Sequence, residues 1–173
     1  MDKQNIVLVG FMGTGKTRTA QLLASQLSMD YVGIDDEIER REKMSINDIF
    51  RLKGESFFRK VEKEMVAFFS SGAGQVIDCG GGVVLDPENM RELGQSGHIF
   101  CLWADPAEIY RRVKDSPHRP LLNVEDPVEK IKQLLEERKE FYLKARFQVD
   151  TTGLSPLETV GEIRRILDVD GRQ

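Results

Sequence analysis

Histidine and cysteine are nearly missing from this chain, each occurring twice in 173 residues. With only His98 and His118 there is no set of imidazoles from which to build a histidine-based metal site. Cys79 and Cys101 lie in or beside apolar runs, which reads as two small buried side chains in a reducing compartment, not a disulfide. Basic charge is not in excess either. A formal net charge of −4 argues against a general nucleic-acid surface and leaves only local clusters of arginine and lysine. Long hydrophobic runs are lacking too. The apolar run at residues 5–9 is too short for a signal peptide or a membrane span, so the expectation is a cytoplasmic protein that binds neither membrane nor nucleic acid. No repeat, linker or low-complexity tract divides the chain, and its length suits one domain over residues 1–173. Nothing apolar is left over for a large interface, so a monomer is expected.

What the chain does have is alternation. Short apolar runs at 5–9, 31–34, 75–78, 98–103 and 147–150 predict five strands, and their continuous hydrophobicity suits a sheet buried on both faces. Between them, Asp86-Pro87, Asp105-Pro106, Asp126-Pro127 and Ser155-Pro156 each set a capping side chain before a proline, the pattern of a helix start. Gly94 is the expected end of the helix beginning near Pro87, and residues 127–146 read as one long amphipathic helix. Strands alternating with helices predict an α/β fold, a parallel sheet sandwiched by helices. The segment at 114–126, polar at both ends and broken by two prolines, is the one stretch expected to move.

One motif carries chemistry by itself. "GFMGTGKT" at 10–17 fits G-x-x-x-x-G-K-[ST], and it follows a predicted strand and opens a predicted helix. Backbone N–H groups of Gly13, Thr14 and Gly15, with the helix N-terminus at Lys16, Thr17 and Arg18, would wrap phosphate oxygens. Lys16 would reach the outer phosphates and Thr17 would offer its hydroxyl to Mg²⁺. A nucleoside triphosphate is therefore the expected ligand. A guanine-specific switch would carry N/T-K-x-D late in the chain, and the sequence has none. A small P-loop kinase fits the length, and it needs an acceptor pocket, charge neutralisation and a lid.

Further segments supply those parts. "IDDEIERREKMSINDIF", "GESFFRKVEKE", the glycines at 80–82, "RPLL" at 119–122 and "ERKEFY" at 137–142 follow the phosphate loop in order. In this combination the chain resembles the shikimate kinases over almost its whole length. The resemblance implies a three-layer α/β/α P-loop kinase fold with a five-stranded parallel sheet, an acceptor region at about 35–62 and a mobile lid at about 114–126. It also implies transfer of the γ-phosphate of ATP to the 3-hydroxyl of shikimate, with Mg²⁺, on the route to chorismate and the aromatic amino acids. Asp35 would then hold the acceptor hydroxyl and take its proton, although from spacing alone Asp35 or Asp36 serves equally as a helix cap. Arg59 and Arg138 would clamp the carboxylate of shikimate, where unaided each reads as part of a solvated helix face. Glu62 would brace an arginine of this cluster. Gly80, Gly81 and Gly82 would bring backbone against the substrate ring, with Gly81 the expected N–H contact. Arg119 would fold over the triphosphate, and Arg112 and Pro156 would border the adenine.

The chain departs from the family pattern at one place. Shikimate kinases usually end their second strand in an acid-x-acid pair, and here the matching triplet is Gly33-Ile34-Asp35. The first acid, which would help hold magnesium, is missing. Asp78, at the end of the third strand, is the expected replacement, since many P-loop proteins keep a magnesium aspartate there. Pairing of Asp78 with Lys16 or a backbone N–H is the alternative. Two other functions stay open on the sequence: a kinase for another hydroxy acid of the gluconate or aminoshikimate type, and a non-catalytic ATP-binding homologue.

Overall fold

The computed structural model describes residues 4–115 and 124–171. Five strands, β1 (Asn5–Gly10), β2 (Asp30–Gly33), β3 (Gln75–Asp78), β4 (Gly97–Trp103) and β5 (Phe147–Asp150), alternate with helices. The helices are α1 (Lys16–Leu27), α2 (Ile34–Glu42), α3 (Ile46–Lys53), α4 (Glu55–Ser70), α5 (Pro87–Ser96), α6 (Pro106–Val113), α7 (Pro127–Tyr142) and α8 (Pro156–Asp170), with a 3-10 turn at Val83–Leu85. All strand pairs are parallel, in the order β2-β3-β1-β4-β5. The expected five-stranded α/β/α architecture is what the chain forms.

Side chains of β1 alternate between two cores, as strand geometry requires. Ile6 and Leu8 join Ala20 and Leu23 of α1 and Val160 and Ile163 of α8. Val7 and Val9 join Ile38, Phe58, Leu93, Ile109 and Ile131 from the helices of the opposite face. Both faces of the sheet are therefore covered, which is why its strands read as unbroken apolar runs. Cys79 and Cys101 are free thiols buried in the second of these cores.

All four proline-marked helices begin at their proline. Asp86, Asp126 and Ser155 accept hydrogen bonds from first-turn N–H groups, and Ser155 with Glu158 makes a full capping box. Asp105 makes no such bond. Two expected helix ends shift. Gly94 lies inside α5, and the cap is Gly97, where any side chain would run into the Asn5 carbonyl of β1. α7 stops at Tyr142, four residues short of the expected 146, because Gln148 of β5 donates to the carbonyls of Tyr142 (3.0 Å) and Ala145 (3.1 Å).

From the central β1 the chain moves to one side for β2 and β3 and to the other for β4 and β5. That reversal opens a crevice beyond the carboxyl ends of the strands, where open α/β sheets take their ligands. Among the described residues, no helix is long and apolar enough to cross a membrane.

Candidate active site

The crevice holds a cleft of about 390 Å³, lined by the phosphate loop, the end of β2, the first turn of α2 and residues 78–81. Gly15 caps α1 with φ 93°, the left-handed conformation that favours glycine, and turns the chain into the helix. α1 has no side-chain cap and no acid in its first turn, so its N-terminus suits an anion. Lys16 folds back over the loop, its Nζ donating to the carbonyls of Gly10 (2.9 Å) and Phe11 (3.0 Å). Gly13 and Arg18 line the cleft. Thr14 does not offer its side chain there: the hydroxyl is buried and donates to the Phe11 carbonyl at 2.8 Å, leaving only backbone toward the loop.

Asp78 closes the floor. Its Oδ2 accepts a 2.6 Å hydrogen bond from the Thr17 hydroxyl. Burial raises its pKa above the usual carboxylate range, Lys16 and the Thr17 bond pull it down, and Asp36 adds to the rise. Thr17 is thus a hydrogen-bond partner of Asp78, and the charge of Lys16 also acts on it. Gly33 is the direct ladder partner of Asp78, so the missing acid and its expected replacement stand on adjacent strands.

Asp35, in the first turn of α2, opens to the cleft. The protein around it strips enough hydration to lift its pKa to about 6; Lys16 opposes that rise, and Asp78, Asp36 and Glu39 reinforce it. No side-chain hydrogen bond caps α2, whose N-cap is Gly33.

The three glycines after β3 each meet a different part of the site. A Cβ on Gly80 would stand 2.8 Å from Asp35 Oδ1. Gly81 lies against the phosphate loop, its Cβ position 3.4 Å from the Gly10 carbonyl. A side chain on Gly82 would strike the Arg59 guanidinium. None of the three has a positive φ, so these glycines provide space and not an unusual turn. Arg59 donates to buried Glu62 at 2.8 Å and to exposed Glu55 at 3.2 Å, which bears out the bracing read from the sequence. The other oxygen of Glu62, Oε1, is buried without a partner. Arg138 lies over the Phe11 ring, 6.0 Å from its centroid, and its charge acts on the Tyr142 hydroxyl.

Two of the remaining expected residues lie further out. Arg112 pairs with Glu108 at 2.8 Å and gives the rest of its guanidinium to backbone and hydroxyl oxygens: Gly13 O (3.4 Å), Thr151 O (2.6 Å), Thr151 Oγ1 (3.1 Å) and Leu154 O (3.3 Å). It ties the phosphate loop to the turn before α8, where Pro156 is the first helical residue. Arg119 falls outside the described residues, as does most of the 114–126 segment. Sequence reasoning missed Tyr142 and Thr151, whose partners Gly81 and Thr14 are distant in the chain. It also missed Tyr31 and gave Asp36 no role beyond a possible helix cap, because their contact depends on how α2 leaves β2. A second, larger groove of about 760 Å³, between α7 and the β4–β5 edge, is mostly apolar and contains none of the phosphate-loop residues.

A glycine-rich loop between β1 and α1, with Lys16 and Thr17 facing Asp78 and a carboxylate of raised pKa across the cleft, defines a P-loop phosphotransferase. The shikimate kinase family model matches residues 12–168. A shikimate kinase of Thermodesulfovibrio yellowstonii is 49% identical over 160 residues, covering 92% of each chain. One from Caldanaerobacter subterraneus subsp. tengcongensis is 42% identical over 98% of this chain and 99% of its own. The structure of Acinetobacter baumannii shikimate kinase in complex with shikimate superposes with a TM-score of 0.91 at 31% identity, covering 97% of this chain and 94% of the other. The chain belongs to the shikimate kinase family.

Proposed function

We propose that this protein transfers the γ-phosphoryl group of ATP to the 3-hydroxyl of shikimate, giving shikimate 3-phosphate and ADP. The observation that carries this reading is the triglycine loop, whose consecutive residues pack on Asp35, on the phosphate loop and on Arg59. An acceptor lying on that loop would have a base at one end, a phosphoryl donor beside it and an arginine fork at the other.

In this reading Arg59, held by Glu62, and Arg138 clamp the acceptor carboxylate, since a planar guanidinium matches a carboxylate with two parallel bonds. Gly81 offers its backbone N–H to the ring. The acceptor oxygen attacks the γ-phosphorus in line as the bond to the bridging oxygen breaks, and ADP leaves. The proton passes to an Asp35 carboxylate oxygen. A base of pKa about 6 is largely ionised at pH 7, yet takes a proton more readily than an ordinary aspartate. Lys16 moves from its carbonyl partners to the phosphate oxygens. Arg119 would add its charge to the same oxygens, as the family resemblance implies. No phospho-enzyme is needed.

The donor set also fits magnesium. Thr17 and Asp78 present hard oxygen ligands 2.6 Å apart, and among the described residues no group of three or more His, Cys, Asp or Glu could hold a metal alone. That matches an ion that keeps several waters and takes much of its shell from substrate phosphates. Thr17 and Asp78 would hold it, and when bound it would offset the charge of the β- and γ-phosphates.

A coupled ADP-release assay with shikimate, gluconate and aminoshikimate as acceptors tests the assignment. Turnover that is fastest with shikimate is expected. Turnover only with another hydroxy acid, or ATP binding without turnover, would overturn it in favour of the two alternatives raised by the sequence.

A further inference from the structure

Gly33 has φ −96° and ψ 111°, extended backbone that any residue adopts. What a side chain lacks there is room. A Cβ on Gly33 would sit 2.5 Å from Asp36 Oδ2 and 2.7 Å from the Tyr31 hydroxyl. Asp36, from the first turn of α2, folds its carboxylate back across the end of β2 into the space that a side chain at 33 would occupy. The Tyr31 hydroxyl donates to it at 3.4 Å. Because Gly33 pairs directly with Asp78, a carboxylate lying over Gly33 is set beside the Thr17–Asp78 contact. Asp36, Asp78, Thr17 and Tyr31 line one cleft. An acid in the first turn of a helix also favours the helix dipole, but Asp35 and Glu37 already provide that. Asp36 alone is turned over Gly33.

We propose that Asp36 is the second carboxylate of the magnesium site: Gly33 makes room for it, Tyr31 aims it, and it orients the metal's water shell beside Asp78. The acid-x-acid pair of the family is thereby rebuilt from the other side, with the carboxylate coming from three residues later in the chain. This inference rests on the reading of Thr17 and Asp78 as magnesium holders. Asp36 is a positioning residue, and its effect is on metal affinity before any chemistry.

The test is Mn²⁺ binding to the enzyme–ATP complex, followed by electron paramagnetic resonance of the free ion, without acceptor and without turnover. Asp36→Asn is expected to weaken Mn²⁺ binding about tenfold or more, the usual effect of losing an outer-shell partner, and to leave ATP affinity in EDTA unchanged. Gly33→Asp alone should also weaken it, because the new side chain displaces Asp36. The pair Gly33→Asp/Asp36→Ala should return Mn²⁺ affinity to within about threefold of the parent, well inside that loss. If Asp36→Asn binds Mn²⁺ like the parent while Asp78→Asn does not, Asp36 has no part in the site and the Asp78 reading survives. If neither substitution weakens binding, both readings fall. Should Asp36→Asn unfold, the double substitution decides alone: a folded double variant, verified by circular dichroism, that does not recover Mn²⁺ affinity overturns the proposal.

Discussion

The Tyr142 hydroxyl donates to the Gly81 carbonyl at 2.7 Å, and the charge of Arg138, one turn earlier on α7, acts on the same side chain. One helix thus fixes the middle of the triglycine loop and sets an arginine beside the tyrosine that holds it. Burial pushes the Tyr142 phenol up to about 12, despite the opposing charge of Arg138, so the hydroxyl keeps the proton it donates.

Tyr142→Phe keeps the ring and removes the bond to Gly81. The KM for shikimate should rise about three- to tenfold, equivalent to one net hydrogen bond, with kcat changed less and the KM for ATP unchanged. Steady-state kinetics with each substrate varied in turn separates these. An equal rise in both KM values would show a general loosening of the fold instead.

The triglycine loop gives a ranking. Gly82→Ala drives a methyl into the Arg59 guanidinium and Gly80→Ala brings one to 2.8 Å from Asp35, whereas Gly81→Ala meets nothing nearer than 3.4 Å. Loss of kcat/KM for shikimate should therefore be severe at 82 and 80 and mild at 81. Alanine at 81 proving the worst of the three would refute the packing account.

Asp35 sets a pH dependence. At saturating ATP, log kcat/KM for shikimate should fall about one unit per pH unit below a pKa of about 6 or higher, since bound phosphates push the carboxylate further up. Stability runs the opposite way. Folding raises this pKa from 3.8 to about 6, so the folded protein holds the proton more tightly than the unfolded chain. The contribution is fully present below about pH 4 and is lost as pH rises through 6. Asp35→Asn should therefore abolish turnover and yet melt higher at pH 7.5. Because Asp35 faces water the gain is kept to about 1 kcal/mol, or about 2–4 °C. Calorimetry at pH 4 should show no gain.

Arg59 is held by two carboxylates of α4, one buried. Arg59→Lys keeps the charge but loses the fork. It should raise the KM for shikimate about tenfold to a hundredfold, in line with about 1.5–3 kcal/mol for a charged hydrogen bond. Isothermal titration with shikimate gives the corresponding change in affinity, and an unchanged value would remove Arg59 from the clamp.

Much of this was legible in the sequence, for physical reasons. Unbroken apolar runs marked the strands because both faces of the sheet are covered. The Asp-Pro and Ser-Pro pairs marked helix starts because proline costs nothing where no N–H is needed. Asp78 was legible as a strand-end acid, although its bond to Thr17 spans 61 positions and appears only when β3 lies beside β1. Asp36 read only as a possible helix cap, and Tyr31 and Thr151 left no signal of a role. Thr151 donates to the Thr14 carbonyl at 3.0 Å and accepts from Arg112 at 3.1 Å, contacts that sequence spacing cannot encode. Gly33 could be read as a loss, but the carboxylate occupying its space could not.

The amino ends of the central strands carry contacts of another kind. Asn5, fully buried, donates to the Gly72 carbonyl and accepts from the Gln75 N–H, both at 2.9 Å, and Gly97 is pressed against its backbone. This clasp joins the amino ends of three strands, a strand length away from the phosphate loop. Damage at Asn5 or Gly97 would shorten the working life of each molecule and leave the speed of those still folded unaltered. Selection for durability and selection for turnover would thus act on opposite rims of one sheet, with few residues answerable to both.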